Sequence, residues 1–421
     1  FIDKYIDKVN WSDISMYQYL SENFINEHAD KVNWDYISMY QYLSENFIEK
    51  HANKIDWRNI SAYQKLSEDF IDKHIDEVNW DSISTCQYLS EGLKDEYEVK
   101  VICFSEDKET KVQETNGIQV IKPGVFLSVA RQDLSFSYFK HLHKVIKTWK
   151  PDVIHFHYPN PFVTALLLPI IPRSTKLYVQ WHLDITKQKK IYPFIKPFET
   201  MLLKRADLIA PTSPNYRDSS KPLFPFRNKT TILPSAIDIQ KLNVNTGDIE
   251  TIQRIKDKAK GRKIVFFIGR HVLHKGIQDL IKAEQLIKND CYIFIGGVGP
   301  ITDEMKAICK SNRVEFVGRL SDQEKKCYYY AADIFAFPSY TKAEGFGLTL
   351  AEAMYCNAVP VTYTIEGSGV NWVSLHEVTG LEVPNRNVAE YAKAIDELLS
   401  DDKKRNDFAE AAHQRIVENF T

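Results

Sequence analysis

Several things are scarce in this 421-residue chain, and each shortage removes a class of answer. The six cysteines (Cys86, Cys103, Cys291, Cys309, Cys327 and Cys356) are scattered, with no C-x-x-C pair. That spacing speaks against a zinc site and predicts reduced thiols in a cytoplasmic compartment. Long apolar runs are missing as well. The longest, Phe162 to Ile171, is broken by Pro169 and falls short of the roughly 20 residues that span a bilayer. No signal peptide opens the chain, and it starts at Phe1 rather than Met, which predicts further residues upstream. Charge of one sign is not in excess overall, at a net −2, yet it is unevenly spread. Residues 1–92 hold 8 Lys/Arg against 17 Asp/Glu, and the remainder holds 46 against 39. An acidic arm on a basic body suits a phosphate-bearing partner or peripheral contact with an anionic membrane face. No nucleic-acid partner is expected.

What the first 92 residues do contain is a repeat. Trp11, Trp34, Trp57 and Trp80 recur every 23 residues, as do Phe1, Phe24, Phe47 and Phe70. A fixed period of this length predicts an array of four small helical units. Trp34, Ile37, Tyr40 and Leu43 are spaced by three, along one helical face, and Asn33 and Ser44 stand as N-caps. Each unit should therefore hold two short helices around an aromatic core. His28, His51 and His74 fall in separate units and read as packing or surface positions. The units are similar to short tandem repeats in proteins of large DNA viruses. A binding or scaffolding role, with a protein partner, is the expectation for such an array.

From residue 93 onward short apolar strands alternate with helical stretches, the pattern of a parallel sheet with crossover helices. Candidate strands are Val99–Phe104, Ile118–Ile121, Val153–Phe156, Lys176–Trp181, Leu208–Ala210 and Thr231–Leu233. Thr246 to Gly261 is polar and reads as a linker leading into a helix, after which Lys263 to Arg270 begins a second α/β pattern. The predicted architecture is a helical array (1–92) followed by two Rossmann-like domains (93–245 and 246–421).

One stretch organises the second pattern. A buried-strand signal, Asp333-Ile-Phe-Ala-Phe-Pro338, leads into Thr341-Lys-Ala-Glu-Gly-Phe-Gly-Leu-Thr-Leu-Ala-Glu-Ala353. Strand, glycine-bearing turn and helix start form an anion site: glycines let the backbone approach a ligand, and free N–H groups at the helix N-terminus favour negative charge. Glu344 sits in the turn and Glu352 lies in the helix, about two turns further along.

Glu344, Gly345-Phe346-Gly347 and Glu352 resemble the E-x7-E signature of retaining family 4 glycosyltransferases, whose fold is GT-B. The resemblance extends from about Glu98 to the end. Pro151-Asp-Val-Ile-His-Phe-His157 resembles that family's P-D-V-I-H-x-H strand, although His155 and His157 taken alone read as structural histidines. Gln180-Trp-His-Leu-Asp-Ile-Thr-Lys-Gln-Lys189 is similar to a segment of members that transfer mannose-like sugars. Ile295-Gly-Gly-Val-Gly-Pro300 resembles its G-x-G-P turn, and Val314 to Leu320 the stretch whose backbone meets the nucleobase.

The resemblance implies a role for each matching residue. Arg270 and Lys275 correspond to the pair that grips the diphosphate of a sugar nucleotide, where fixed cations stabilise the leaving group's growing charge. Glu352 binds ribose hydroxyls. Glu344, with Gly345, Phe346, Gly347 and Leu348, holds the donor sugar, and Gly299, Arg319 and Leu320 complete the donor side. His182 lines the sugar and acceptor side, Asp184 orients it or meets the acceptor, and Lys187, Lys189 and Lys190 face phosphate or lipid headgroups or form a solvated basic turn. The implied catalytic set is His182, Glu344, Arg270 and Lys275. No Asp-x-Asp occurs, in agreement with a metal-independent enzyme that needs no cofactor.

The implied function is transfer of a hexose, mannose from a GDP donor in the narrower form, to a glycan or lipid-linked hydroxyl. Such enzymes normally open with a strand and a glycine-rich loop, where this chain carries its repeats, and close with a helix crossing back to the first domain. Leu93 to Val99 keeps only the end of the first helix. The rival expectation is therefore an inactive scaffold, using the repeats and a degenerate transferase domain to bind a partner.

Overall fold

A computed structural model describes residues 10–18, 20–41, 43–52, 54–55, 97–105, 108–115, 117–129, 132–185 and 191–421. The later repeat positions Trp57, Phe70, His74 and Trp80, the helix end expected at 93–96, and Lys187, Lys189 and Lys190 lie outside the described residues. The chain falls into two compact units, Phe1–Lys150 and Pro151–Thr421.

In the first unit, the repeat folds as pairs of short helices: Trp11–Tyr17 and Glu22–Glu27, then Trp34–Tyr40 and Glu45–Lys50. The caps sit where the sequence puts them, with Asn33 Oδ1 accepting from Tyr36 N–H at 3.2 Å and Ser44 Oγ accepting from Phe47 N–H at 3.3 Å. Ile14, Leu20, Ile25, Val32, Ile37 and Phe47 form the core, with Trp11 and Trp34 packed against it. His28 lies against Trp11 and Phe24, and His51 against Trp34 and Phe47. The buried Gln41 ties the units together. It accepts from Leu20 N–H at 2.9 Å and donates to the carbonyls of Ser15 and Gln18 at 2.9 and 2.7 Å.

The same unit holds a three-stranded sheet in the order β1 (Lys100–Ile102), β3 (Ile118–Lys122), β2 (Lys111–Thr115). Strand β2 was not expected. Its Lys-Val-Gln-Glu-Thr sequence has a single apolar residue, so alternation is invisible; the Asn116-Gly117 dipeptide was the signal to read, and Gly117 does turn the chain at φ +81°. A hairpin of β4 (Leu127–Val129) and β5 (Gln132–Leu134) precedes the helix Phe136–Lys144.

The second unit carries two parallel sheets. The smaller orders β6 (Val153–Tyr158), β7 (Lys176–Trp181) and β8 (Leu208–Pro211). Thr231–Leu233, expected as a further strand, only runs alongside β8. Thr231 N–H reaches Ile209 O at 3.0 Å and Leu233 N–H reaches Pro211 O at 3.1 Å, after which Pro234 has no N–H to extend the ladder. The larger sheet orders β11 (Val314–Gly318), β10 (Cys291–Gly296), β9 (Lys263–Ile268), β12 (Ile334–Phe337), β13 (Val359–Tyr363) and β14 (Leu381–Val383), all parallel. Continuous apolar runs such as Ile264-Val-Phe-Phe267 suit strands covered on both faces.

The segment read as a linker is instead a helix, Thr246–Ala259. Asn245 and Asp248 cap each other's backbone in a capping box, and Ile252, Ile255 and Ala259 form a narrow stripe against the core. Everything between those positions is polar, which hid the period. The last helix, Asp402–Asn419, packs Phe408, Ala412 and Ile416 on the larger sheet, and Phe420 O accepts from Ile237 N–H at 2.8 Å. Among the described residues, no helix is long and apolar enough to cross a membrane, and the five cysteines are free.

Candidate active site

Strand order in the larger sheet reverses between β9 and β12, so the loops leaving their carboxyl ends part to opposite sides and open a crevice. The loop after β9 carries Gly269, Arg270 and His271, then one 3-10 turn at Leu273–Lys275. Gly276 follows at φ +74°, and a Cβ there would sit 1.9 Å from Pro338 O. Only glycine permits this contact, which presses the β9 loop onto the end of β12. Lys275 is thereby delivered to the turn after β12. Its Nζ donates to Glu344 Oε2 at 2.6 Å, and Ser339 Oγ donates to the same oxygen at 3.1 Å.

The turn itself is built on two glycines. Gly347, at φ +90°, starts the helix Leu348–Tyr355 with no side-chain cap, so the first amides of that helix have no capping side chain. Gly345 has His182 O 3.1 Å from where its Cβ would be, and Gly345 O accepts from Gly369 N–H at 3.0 Å. Ser368 Oγ donates to Glu344 O. Phe346 turns the other way, into the core beside Trp372 and Phe420, whereas Leu348 is exposed. Glu352, further along the helix, accepts from Tyr329 Oη at 2.9 Å and from Lys325 Nζ at 3.3 Å. Burial alone would lower the pKa of Lys325; Glu352 and Asp322 outweigh it and hold that pKa above the ordinary lysine range. Each carboxylate of the E-x7-E pair is thus held by its own lysine.

The other residues assigned to the donor side lie on the segments that leave β9, β10 and β11. Arg270 is exposed at the end of β9. Gly299 packs on the β9 loop, where a Cβ would lie 2.6 Å from His271 O, and His271 is fixed by Thr302 Oγ1 at 2.9 Å. Arg319 and Leu320 follow β11 after Gly318, with Leu320 against Gly296.

On the smaller sheet, His182 follows β7 and its N–H donates to Tyr158 O at 3.0 Å. Its ring stacks on His157 at 5.1 Å, with His182 Nε2 and His157 Nδ1 2.9 Å apart. Burial first, and the neighbouring imidazoles second, push the pKa of His157 down to about 3 and that of His182 to about 4. Both rings are neutral at pH 7, and a single proton bridges them. Asp184 makes no hydrogen bond to His182. Its Oδ1 accepts from Trp181 Nε1 at 3.0 Å and Ser220 Oγ at 2.6 Å, and its Oδ2 accepts from Lys342 Nζ at 2.9 Å. Sequence reasoning missed Ser339, Ser368, Tyr216 and Lys342 at this site. A lysine two residues before Glu344 was the one visible signal. Among the described residues, no group of His, Cys, Asp and Glu is placed to hold a metal ion.

This pair of Rossmann-like sheets, with a cationic crevice on one and neutral imidazoles on the other, is a GT-B fold. Two family models match it in succession: Glycosyltransferase Family 4 over residues 84–241 and Glycosyl transferases group 1 over residues 248–415. Together these two models support a GT-B, family 4-like glycosyltransferase. It is 26% identical over 324 residues to O-antigen chain mannosyltransferase C of Escherichia coli, covering 76% of this chain and 85% of that protein. It is 27% identical over 325 residues to a D-rhamnosyltransferase of Pseudomonas aeruginosa, with coverages of 76% and 83%. Among solved structures, sucrose-phosphate synthase from Thermosynechococcus elongatus superposes with a TM-score of 0.61 at 20% identity, over 78% of this chain and 86% of that one.

Proposed function

We propose that this protein transfers a hexose from a nucleoside-diphosphate sugar to a hydroxyl acceptor, with retention at the anomeric carbon and without a metal. The observation that carries the reading is the crevice between β9 and β12, where Lys275 of the β9 loop meets Glu344 in the turn that leads into the helix Leu348–Tyr355. Cations and amides fixed in place before reaction stabilise the charge that grows on a departing diphosphate. Glu352 takes the ribose hydroxyls. Glu344 and the backbone of Gly345 to Gly347 take the donor sugar, with His182 opposite. One oxygen of Glu344 is already held by Lys275 and Ser339, which suits a binding group better than a nucleophile. The acceptor oxygen then attacks on the face the diphosphate leaves: the C1–O bond to phosphate breaks, the C1–O bond to acceptor forms, and the acceptor proton passes to a phosphate oxygen.

A mannosyltransferase among the relatives supports mannose, and with it a GDP donor, as the narrower form. A lipid-linked acceptor at the cytoplasmic face of a membrane is supported by the helix Tyr192–Arg205. Phe194, Phe198 and Met201 are exposed along one side of it, at 77%, 42% and 52%, beside exposed Lys196 and Lys204. Its one acid, Glu199, is buried against Tyr158 and Tyr192. An apolar stripe framed by lysines suits an anionic lipid surface.

The test is nucleoside-diphosphate release from a panel of UDP-, GDP- and ADP-sugars in the presence of hydroxyl acceptors, with the anomeric configuration of the product read by NMR. Release from one donor, giving an axial product from an axial donor, is the expected result. A well-folded sample that neither binds nor turns over any of them would instead favour the scaffold.

A further inference from the structure

The crevice residues come from loops of both sheets, and something must fix the distance between them. Backbone contacts hold part of it: Ser219 Oγ donates to Gly367 O at 3.2 Å and Asn215 Nδ2 to Ser368 O at 3.3 Å. The side-chain contact is more particular. Lys342 stands two residues before Glu344, and Asp184 two residues after His182. Lys342 Nζ meets Asp184 Oδ2 at 2.9 Å while lying 4.1 Å from the centre of the Tyr216 ring. Asp184 is itself immobilised, by Trp181 and Ser220 on its other oxygen and by its own N–H donating to Tyr216 Oη at 2.7 Å. Every side chain in the group is locked by another. The ion pair is mostly buried, with 22% and 14% of the two side chains exposed.

We propose that Lys342, clamped between Asp184 and the Tyr216 ring, is a positioning residue that sets the separation of Glu344 from His182 and so aligns the bound sugar with the acceptor. A partly buried pair contributes little net stability, because desolvation offsets the attraction. What it supplies is registry between two loops from different sheets. Misplacement of reacting groups by about 1 Å costs on the order of 10²-fold in rate. The proposal rests on the transferase reading, since positioning matters only if a sugar is held there.

The experiment compares the full chain with Lys342→Met and Lys342→Arg, following nucleoside-diphosphate binding by thermal shift, kcat and donor KM with the active sugar nucleotide, and backbone amide exchange over residues 344–369. Lys342→Met is expected to keep the nucleotide shift, lower kcat by about 10²-fold with KM within about threefold, and speed exchange at Gly345 and Gly369. Lys342→Arg should recover most of the rate. A kcat for Lys342→Met within twofold of wild type would overturn the proposal, and so would loss of the nucleotide shift, which would make Lys342 a donor ligand. Failure of the wild type itself to turn over any sugar nucleotide defeats the transferase reading. The exchange data then decide the clamp alone: unchanged rates in Lys342→Met would overturn it. If Lys342→Met does not fold, Asp184→Asn gives the same comparison from the other side.

Discussion

The two parallel sheets of the second unit end in opposite electrostatics. The six-stranded sheet delivers formal charges to its crevice: Lys275 against Glu344, with Lys325 against Glu352 deeper in the helix. The three-stranded sheet delivers neutral rings, since burial keeps His157 and His182 unprotonated, and the carboxylate there, Asp184, is already neutralised by Lys342. Fixed charge suits the side where a leaving group gains charge. A neutral, hydrogen-bonded surface suits the side where hydroxyls must be held without competing for that charge. On the proposed transfer, the difference teaches that the smaller sheet acts by shape and registry, the larger by field.

The comparison can be broken in order of expected effect. Lys275→Ala removes a cation from the crevice and should slow transfer by about 10²–10³-fold, or ~3–4 kcal/mol in the barrier, read from kcat/KM. Gly276→Ala attacks the scaffold of the same side. Its φ of +74° and the 1.9 Å approach to Pro338 O should lower stability by at least about 2 kcal/mol in urea unfolding, because the obstacle is backbone and cannot swing away. Gln41→Ala, in the other compact unit, leaves Leu20 N–H and two carbonyls without their partner, and should cost the repeat units about 1–2 kcal/mol with the transfer rate unchanged.

The smallest effect near neutrality is on pH. The folded pKa values of His157 and His182 lie below the ordinary 6.5, so between about 4 and 6.5 the unfolded chain binds protons that the folded chain refuses. Stability should therefore fall as pH drops, by less than about 1 kcal/mol per imidazole from pH 7 to 6 and more steeply below. His157→Gln should flatten that slope in thermal melts taken across pH 4–7. An unaltered slope would contradict the neutral-pair account.

How much of this was legible depended on whether a residue's neighbours are near it in sequence. The strands of the larger sheet were readable because Ile264-Val-Phe-Phe267 and Ile334-Phe-Ala-Phe337 are apolar without a break. The turn at Glu344 was readable because its glycines, strand and helix are contiguous. The helix Thr246–Ala259 was not, since its apolar stripe is only a few residues wide within a charged segment. The clamp of Lys342 on Asp184 was not either. Those residues are 158 positions apart, and only the packing of one sheet's loops on the other's brings them together. The pairing of His157 with His182 was not legible either, because the two rings belong to different strand ends.

The central claim is that the crevice between β9 and β12 is a diphosphate site gripped by Lys275. Calorimetric titration of wild type and Lys275→Ala with UDP and GDP tests it most directly. One of the two nucleotides should bind the wild type and lose at least tenfold in affinity, about 1.4 kcal/mol, in the variant. Equal affinity in both proteins, or no binding to a well-folded wild type, would contradict it.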